Sequence, residues 1–189
     1  MIAVTGGGGA LGRAVVARLE HDGYAVSAPG HDEVDLLDAD ATARWAASLD
    51  DVRGLVHLVG GWKGGAEPED TAWLHAQLVT TLQNATRAFL EPLKRTQGQL
   101  VIVSSKQVER PSWSNAAYAA AKAAAEAWTL ALADEIHANV VAINAIVTPE
   151  MRAEKPEAKF STFQDVDVIA DTIALLVGSQ LNRQRIKLY

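Results

Sequence analysis

The chain opens "MIAVTGGGGALGRAVVARLEHDG" (residues 1–23), and the order of features in that stretch decides the fold. A short apolar run over 1–4 has the length and composition of a buried strand. Four glycines follow, Gly6 to Gly9, and then a helical pattern begins. In it Val15, Val16 and Leu19 fall on one stripe, and Gly23 stands where such a helix would stop. Within the turn "TGGGGALG" (5–12), Gly7, Gly9 and Gly12 satisfy G-x-G-x-x-G, while Gly6, Gly9 and Gly12 satisfy G-x-x-G-x-x-G. Both spacings serve the same physics. The backbone turns sharply, approaches a pyrophosphate with no Cβ in the way, and aims the first helix amides at the phosphate charge. Gly6, Gly9, Ala10, Leu11 and Gly12 are therefore candidate contacts to a dinucleotide.

The alternation continues to the end of the chain. Apolar, β-branched runs at 24–28, 54–60, 99–105, 139–147 and 185–189 read as strands. Helical patterns separate them at 38–51 (N-capped by Asp38 or Asp40), 71–94, 115–137 and 165–178. Strands that are apolar on both faces and divided by helices predict a doubly wound parallel sheet of about six to seven strands, with helices on both faces. Ligands in such sheets bind beyond the carboxyl ends of the strands, where the strand order reverses. The 189 residues, 49% hydrophobic and 21% charged, suit one domain over 1–189 with a single sizeable core.

Composition removes several function classes. Without cysteine there is no disulfide, no thiolate chemistry and no Cys-type zinc site. A net charge of −6 argues against nucleic acid as the main partner. The five histidines (21, 31, 57, 75, 137) form no i,i+4 pair and no H-E-x-x-H, so no metal site is expected. No apolar run approaches the roughly 20 residues that span a bilayer. The first residues lack a basic n-region, so the expectation is a cytoplasmic protein with a small-molecule substrate.

A dinucleotide site often carries an acid at the end of the second strand, bonded to the adenosine ribose. Here that region reads "SAPGHD" (27–32), with neither carboxylate nor arginine at the expected place. Asp32 or Glu33 can reach the ribose, or His31 can face a 2′-phosphate, so NAD against NADP stays open. Asp35 and Leu36 are placed to flank an adenine ring.

"AAYAAAKAAAEAW" (116–128) carries Tyr118 and Lys122 one helical turn apart, and Ser105 ends the strand thirteen residues before Tyr118. On its own, Tyr-x-x-x-Lys is an ordinary surface pattern on an alanine-rich helix. Joined to the glycine turn and to Ser105, it resembles the short-chain dehydrogenase/reductase family over essentially the whole chain. The resemblance implies a Rossmann-type three-layer fold, NAD or NADP as cofactor, and Ser105, Tyr118 and Lys122 as catalytic residues. Tyr118 and Lys122 also count as cofactor contacts. "GGGGALG" (6–12), "LVGGWKGG" (58–65) and "PEAKF" (156–160) are similar to the quinonoid dihydropteridine reductase branch. That likeness lays Val59, Gly60 and Gly61 along the cofactor and makes a pterin reductase the first alternative function. A second alternative is a nucleotide sensor that keeps the fold without catalysis.

Three departures stand out. Ser105 replaces the alanine of that branch and favours ordinary carbonyl reduction. The family's asparagine on the long helix is replaced by Val79 or Thr80. The segment after the fifth strand, "IVTPEM" (146–151), is shortened, leaving Val147, with Thr148 beside it, to face the nicotinamide.

The chemistry explains the residue types. A free phenol has a pKa near 10, so only about one in a thousand is ionised at pH 7. A nearby ammonium is expected to lower it, letting Tyr118 serve as general acid toward a carbonyl or imine receiving hydride, and as base in reverse. Lys122 would hold the nicotinamide ribose and Ser105 the substrate oxygen. Trp62, in a glycine loop past a strand end, is either a flat wall for an aromatic substrate or a lid on its own loop. Trp113 is expected at the same pocket, and Trp45, Trp73 and Trp128 in core or interface. His57 is expected to be a satisfied buried histidine. The segment 150–160 would cover the substrate, with Arg152 either meeting it or solvated. The resemblance further implies a homodimer or homotetramer built on helices 71–94 and 115–137.

Overall fold

The computed structural model describes residues 1–189. Six parallel strands form the central sheet: β1 (Ile2–Thr5), β2 (Val26–Ser27), β3 (Gly54–His57), β4 (Gln99–Ser105), β5 (His137–Ile143) and the last strand, Arg185–Leu188. Two short strands precede that last one in the chain, β6 (Ile146–Val147) and β7 (Gln164–Asp165), so it is β8. They pair with each other outside the sheet. The sheet order is β2-β1-β3-β4-β5-β8, and it reverses between β1 and β3. That reversal is where a doubly wound sheet opens a crevice.

The strand alternation sorts the core into two layers. Ala3, Leu55, Leu100, Ile102 and Val140 face Trp45 of α2 (Ala39–Ala47) and Leu82, Ala85, Phe89 and Leu93 of α4 (Thr81–Thr96). Ile2, Val4, Val56, Val101 and Val141 face Val15 and Leu19 of α1 (Ala10–His21), with Ile169 and Ile173 of α7 (Val166–Val177). The Tyr-Lys helix, α5 (Ala116–Ala131), packs on β4 and β5 with the first group. Asp38, one of the two capping candidates, accepts from the amides of Asp40 and Ala41 and starts α2. Gly23, at φ +85°, turns the chain out of α1 as expected.

The long helix is continuous but not uniform. α3 (Pro68–His75) runs into a π-helical turn, Ala76–Thr80, before α4. Such turns widen a helix locally and recur at functional sites.

Several boundaries differ from the sequence reading. The second strand shrinks from five residues to Val26–Ser27. α5 stops at Ala131 and closes in a 3₁₀ turn, Leu132–Asp134, because His137 is already paired with Gln99 in the sheet. No glycine or proline marks that stop, and tertiary pairing overrides the helical pattern. β5 ends at Ile143, not at Val147. The backbone bends at Asn144, whose Nδ2 donates to the Thr162 carbonyl at 2.9 Å, and the apolar run resumes as β6 against β7. A short helix, α6 (Pro149–Glu154), capped by the Thr148 hydroxyl, fills part of the segment read as loop.

Candidate active site

A crevice of about 930 Å³ runs along the carboxyl ends of β1, β3, β4 and β5. Its volume lies in the upper range for small-molecule and cofactor sites. The glycine turn forms one end. Gly6 takes φ +72°, and a Cβ there would press on the Leu58 backbone at 2.9 Å. A Cβ at Gly12 would overlap the Gly6 carbonyl oxygen and the Gly7 backbone. Only glycine lets these three segments close up. The N-cap of α1 is Gly9, with no capping side chain and no acid in the first turn, so its leading amides remain available to a phosphate. Arg13 steadies the turn by donating to the Gly8 carbonyl at 2.7 Å. The turn and helix end fit the pyrophosphate of a dinucleotide.

At the adenosine end the lining includes Pro29, Gly30, His31, Val34, Asp35 and Leu36. Glu33, one of the two ribose candidates, is turned back instead, accepting from the Gly30 amide at 2.8 Å. Asp32 does not line the crevice, whereas His31 does.

The chemical end is built by β4 and α5. Lys122 is buried and donates through Nζ to the Val103 carbonyl at 2.8 Å. Burial pulls its pKa down to about 8, against the opposing pull of Glu126. Ser105 is buried at the end of β4, and its Oγ accepts from the Gln107 amide at 3.1 Å. Burial raises the Tyr118 phenol above its ordinary value, and hydrogen bonding to Ser105 partly offsets this. The expected lowering by Lys122 is therefore corrected. The ammonium lies 5.9 Å from the ring centroid and is bonded to Val103, and desolvation of the phenol dominates. The phenol is protonated at neutral pH, the form a general acid needs.

His57 is the satisfied buried histidine expected. Its Nδ1 meets Thr5 Oγ1 at 2.8 Å and its Nε2 meets Thr81 Oγ1 at 3.4 Å. Burial, reinforced by the Lys122 charge, pushes its pKa down to about 3.

Twelve of the proposed cofactor contacts line this one crevice: Gly6, Gly9, Ala10, Leu11, Gly12, Asp35, Leu36, Val59, Gly60, Gly61, Tyr118 and Lys122. Val147 does not. It is fully buried in β6, paired with Asp165, and the nearby lining comes from Asn144, Ala145 and Ile146. Thr148 is engaged in capping α6 and accepts from the Met151 amide at 3.2 Å. Trp62 lines the crevice, is 63% exposed, and lies against Gly64, so wall and lid coincide in one residue. Trp113 is 82% exposed and lies outside the crevice, a correction to its expected place. Trp45 is core, edge-to-face with Phe89, and its indole N–H donates to Ser27. Trp73 packs on Gly61 under the Lys63 ammonium, and Trp128 bonds Thr86. Arg152 is the solvated one of its two expectations: it is exposed, lies outside the crevice and pairs with Asp165 at 2.9 Å on the surface.

The sequence reading missed Gln77 and Thr81, which face the crevice from the π turn and the first turn of α4. Two polar residues four apart on the inner side of a long amphipathic helix were the available signal. Val79, one of two candidates for the family asparagine, is buried in a side cluster with Leu74, Leu78, Ala117 and Ala121. Ser104 and Gln107, on either side of Ser105, line the crevice, whereas Ser105 itself is buried behind them and does not.

Comparison with known proteins follows the same lines. The family model described as short chain dehydrogenase matches residues 39–162, beginning past the glycine turn. No curated protein matches the chain. Among solved structures, the NADPH-bound short chain oxidoreductase of Pseudomonas aeruginosa PAO1 with an atypical catalytic center superposes with a TM-score of 0.85 at 19% identity, covering 99% of this chain and 94% of that one. Sorbitol-6-phosphate 2-dehydrogenase of Erwinia amylovora gives 0.86 at 16% identity, covering 100% and 97%. An alcohol dehydrogenase of the archaeon Thermococcus sibiricus, complexed with 5-hydroxy-NADP, gives 0.85 at 19%, covering 99% and 95%. The chain belongs to the short chain dehydrogenase family. It is accordingly an NAD(P)-dependent dehydrogenase or reductase of the short-chain type. No helix is long and apolar enough to cross a membrane.

Proposed function

We infer that this chain, as one domain over 1–189, reduces a carbonyl or imine of a small organic molecule, or runs the reverse oxidation. The observation carrying this reading is the meeting of a protonated phenol, a buried ammonium and a buried hydroxyl beside a crevice whose far end suits a pyrophosphate. NAD(P)H supplies the hydride when bound. Gly6, Gly9 and Gly12, with the first amides of α1, would hold its phosphates. Val59 to Gly61 would lie along its length, and Lys122 would bond its nicotinamide ribose. Ser105 orients the substrate oxygen and stabilises the charge growing on it. Tyr118 donates its phenolic proton to that oxygen, so the carbonyl carbon gains hydride, its oxygen gains the proton and the product is an alcohol. The Trp62 loop narrows the site. Its Gly65 amide donates to the Ser114 carbonyl at 2.7 Å, tying the loop to the start of α5.

One observation favours the narrower pterin reductase reading. Trp62 offers a flat, largely exposed ring on the crevice wall, the surface an aromatic bicycle would stack on. Ser105 weighs toward simple carbonyls instead. Oxidation of NADH and of NADPH is to be followed with quinonoid dihydropterin beside a panel of aliphatic and aromatic ketones. Turnover of ketones alone removes the pterin reading. Cofactor binding with no turnover of any substrate favours a sensor over the enzyme. Homodimer or homotetramer assembly through α4 and α5 is part of the same proposal, and sedimentation checks it.

A further inference from the structure

Tyr118, Lys122 and Glu126 are four residues apart along α5 and so share one face. That face meets the end of β4 at three consecutive residues. Lys122 donates to the Val103 carbonyl at 2.8 Å, and Ser104 Oγ donates to Glu126 Oε1 at 2.5 Å. Ser105, next along the strand, is buried close enough to Tyr118 to oppose the rise of its pKa. The mechanism above uses two of the three helix residues and leaves Glu126 without a role. Yet Glu126 is only 7% exposed, and a carboxylate so buried needs a partner.

Its partner comes from the last strand. Arg185 Nε donates to Glu126 Oε2 at 2.8 Å and Nη2 to Oε1 at 3.1 Å. The same guanidinium reaches the Ser105 carbonyl through Nη2 at 3.4 Å and Glu109 Oε1 through Nη1 at 2.7 Å. One planar group thus holds the helix face, the strand end and the 3₁₀ turn that follows it (Lys106–Val108), a geometry a lysine cannot span. Other charged groups complete the surroundings: Lys187 on Glu109, Lys106 over the Tyr189 ring, and Lys122 one turn before Glu126, with His57 beyond it.

We propose that Glu126 and Arg185 are a positioning pair for the reaction site, fixing the register of α5 against the end of β4 and so placing Lys122 and Ser105. The proposal rests on the reading of Ser105, Tyr118 and Lys122 as the reacting group and adds the last strand to that machinery. Neither Glu126 nor Arg185 lines the crevice, so both act through their neighbours.

The test uses Glu126→Gln, which keeps shape and removes charge, and Arg185→Lys, which keeps charge and loses the fork. Melting temperature, NADH affinity by tryptophan fluorescence across a pH series, and kcat and KM for a ketone that the wild type reduces are to be compared. Glu126→Gln should move the fall of NADH affinity to lower pH, because the Lys122 ammonium loses a neighbouring negative charge. Both variants should lower kcat about tenfold or more with KM for the ketone within about twofold, the pattern of misplacement. A lowered melting temperature with wild-type pH dependence, kcat and KM in both variants would overturn the proposal. If Glu126→Gln does not fold, Arg185→Lys decides through NADH affinity, expected to weaken about threefold or more, and its kcat. If the wild type turns over neither a ketone, nor an imine, nor quinonoid dihydropterin, and oxidises no alcohol, the hydride-transfer reading fails. The NADH titrations then judge the positioning pair alone, supported by a shift and refuted by none.

Discussion

The junction of β4 with α5 and the loops that face it across the crevice are built on opposite terms. At the junction Val103 and Ser104 are hydrogen-bonded to Lys122 and Glu126 of α5, and Lys122, Glu126 and Ser105 are all buried. Across the crevice, Trp62 is largely exposed, Lys63 and Arg152 are paired with Asp70 and Asp165, and the chain after β5 turns away into β6. The difference teaches where the chemistry and the selectivity reside. On the proposed function the buried junction would handle the proton and the ribose, whereas the open side, lined by Trp62, Gln77 and Asn144 to Ile146, would decide what enters.

The largest effect that could break this division lies at the glycine turn that serves both sides. Gly12→Ala would drive a Cβ into the Gly6 carbonyl and should abolish NADH and NADPH binding, read by fluorescence titration with circular dichroism as the control for folding. Next comes the junction itself. Ser105→Ala should lower kcat by about 10²–10³, the usual cost of losing one oxyanion donor, with cofactor affinity unchanged. A drop in cofactor affinity instead would move Ser105 out of the substrate's contacts. On the open side, Trp62→Ala should raise KM for aromatic ketones by about tenfold, the worth of one stacking contact, and leave kcat and aliphatic ketones nearly untouched. Equal losses for both substrate types would assign Trp62 to the structure of its loop.

The smallest effect concerns pH. His57 is held near 3 in the folded chain against 6.5 when unfolded. The unfolded chain therefore binds more protons across that window, so stability is complete above about 6.5 and is lost as the pH falls toward 3. Melting temperature should fall with acidification, and less steeply in His57→Asn. Equal slopes would leave the acid sensitivity to other groups.

How far the sequence carried is visible in particular residues. The sheet, its two-sided core and the crevice were legible because a parallel strand buried on both faces leaves a continuous apolar run, and glycines mark the first turn. That Tyr118 and Lys122 share one face of α5 was legible by spacing, whereas the roles proposed for them and for Ser105 came from the family resemblance. Val147 was misplaced because nothing in "INAIV" (143–147) signals a break, which is decided by Asn144 bonding to Thr162 and by pairing with Gln164 and Asp165 about twenty residues on. Trp113 was misplaced because adjacency along the chain says nothing about which way a 3₁₀ turn points its side chain. The Tyr118 phenol moved opposite to expectation because its desolvation, a property of the fold, outweighs a cation that a helical period can only place nearby.

The account depends most on the phenol as proton donor, and one comparison tests it directly. Wild type and Tyr118→Phe are titrated with the preferred cofactor and then given a substrate that the wild type reduces, while loss of the reduced nicotinamide absorbance is followed. The account predicts cofactor affinity within about threefold and a rate lower by about 10²–10⁴, the contribution of a positioned general acid. A Tyr118→Phe protein that turns over as fast as the wild type would contradict it.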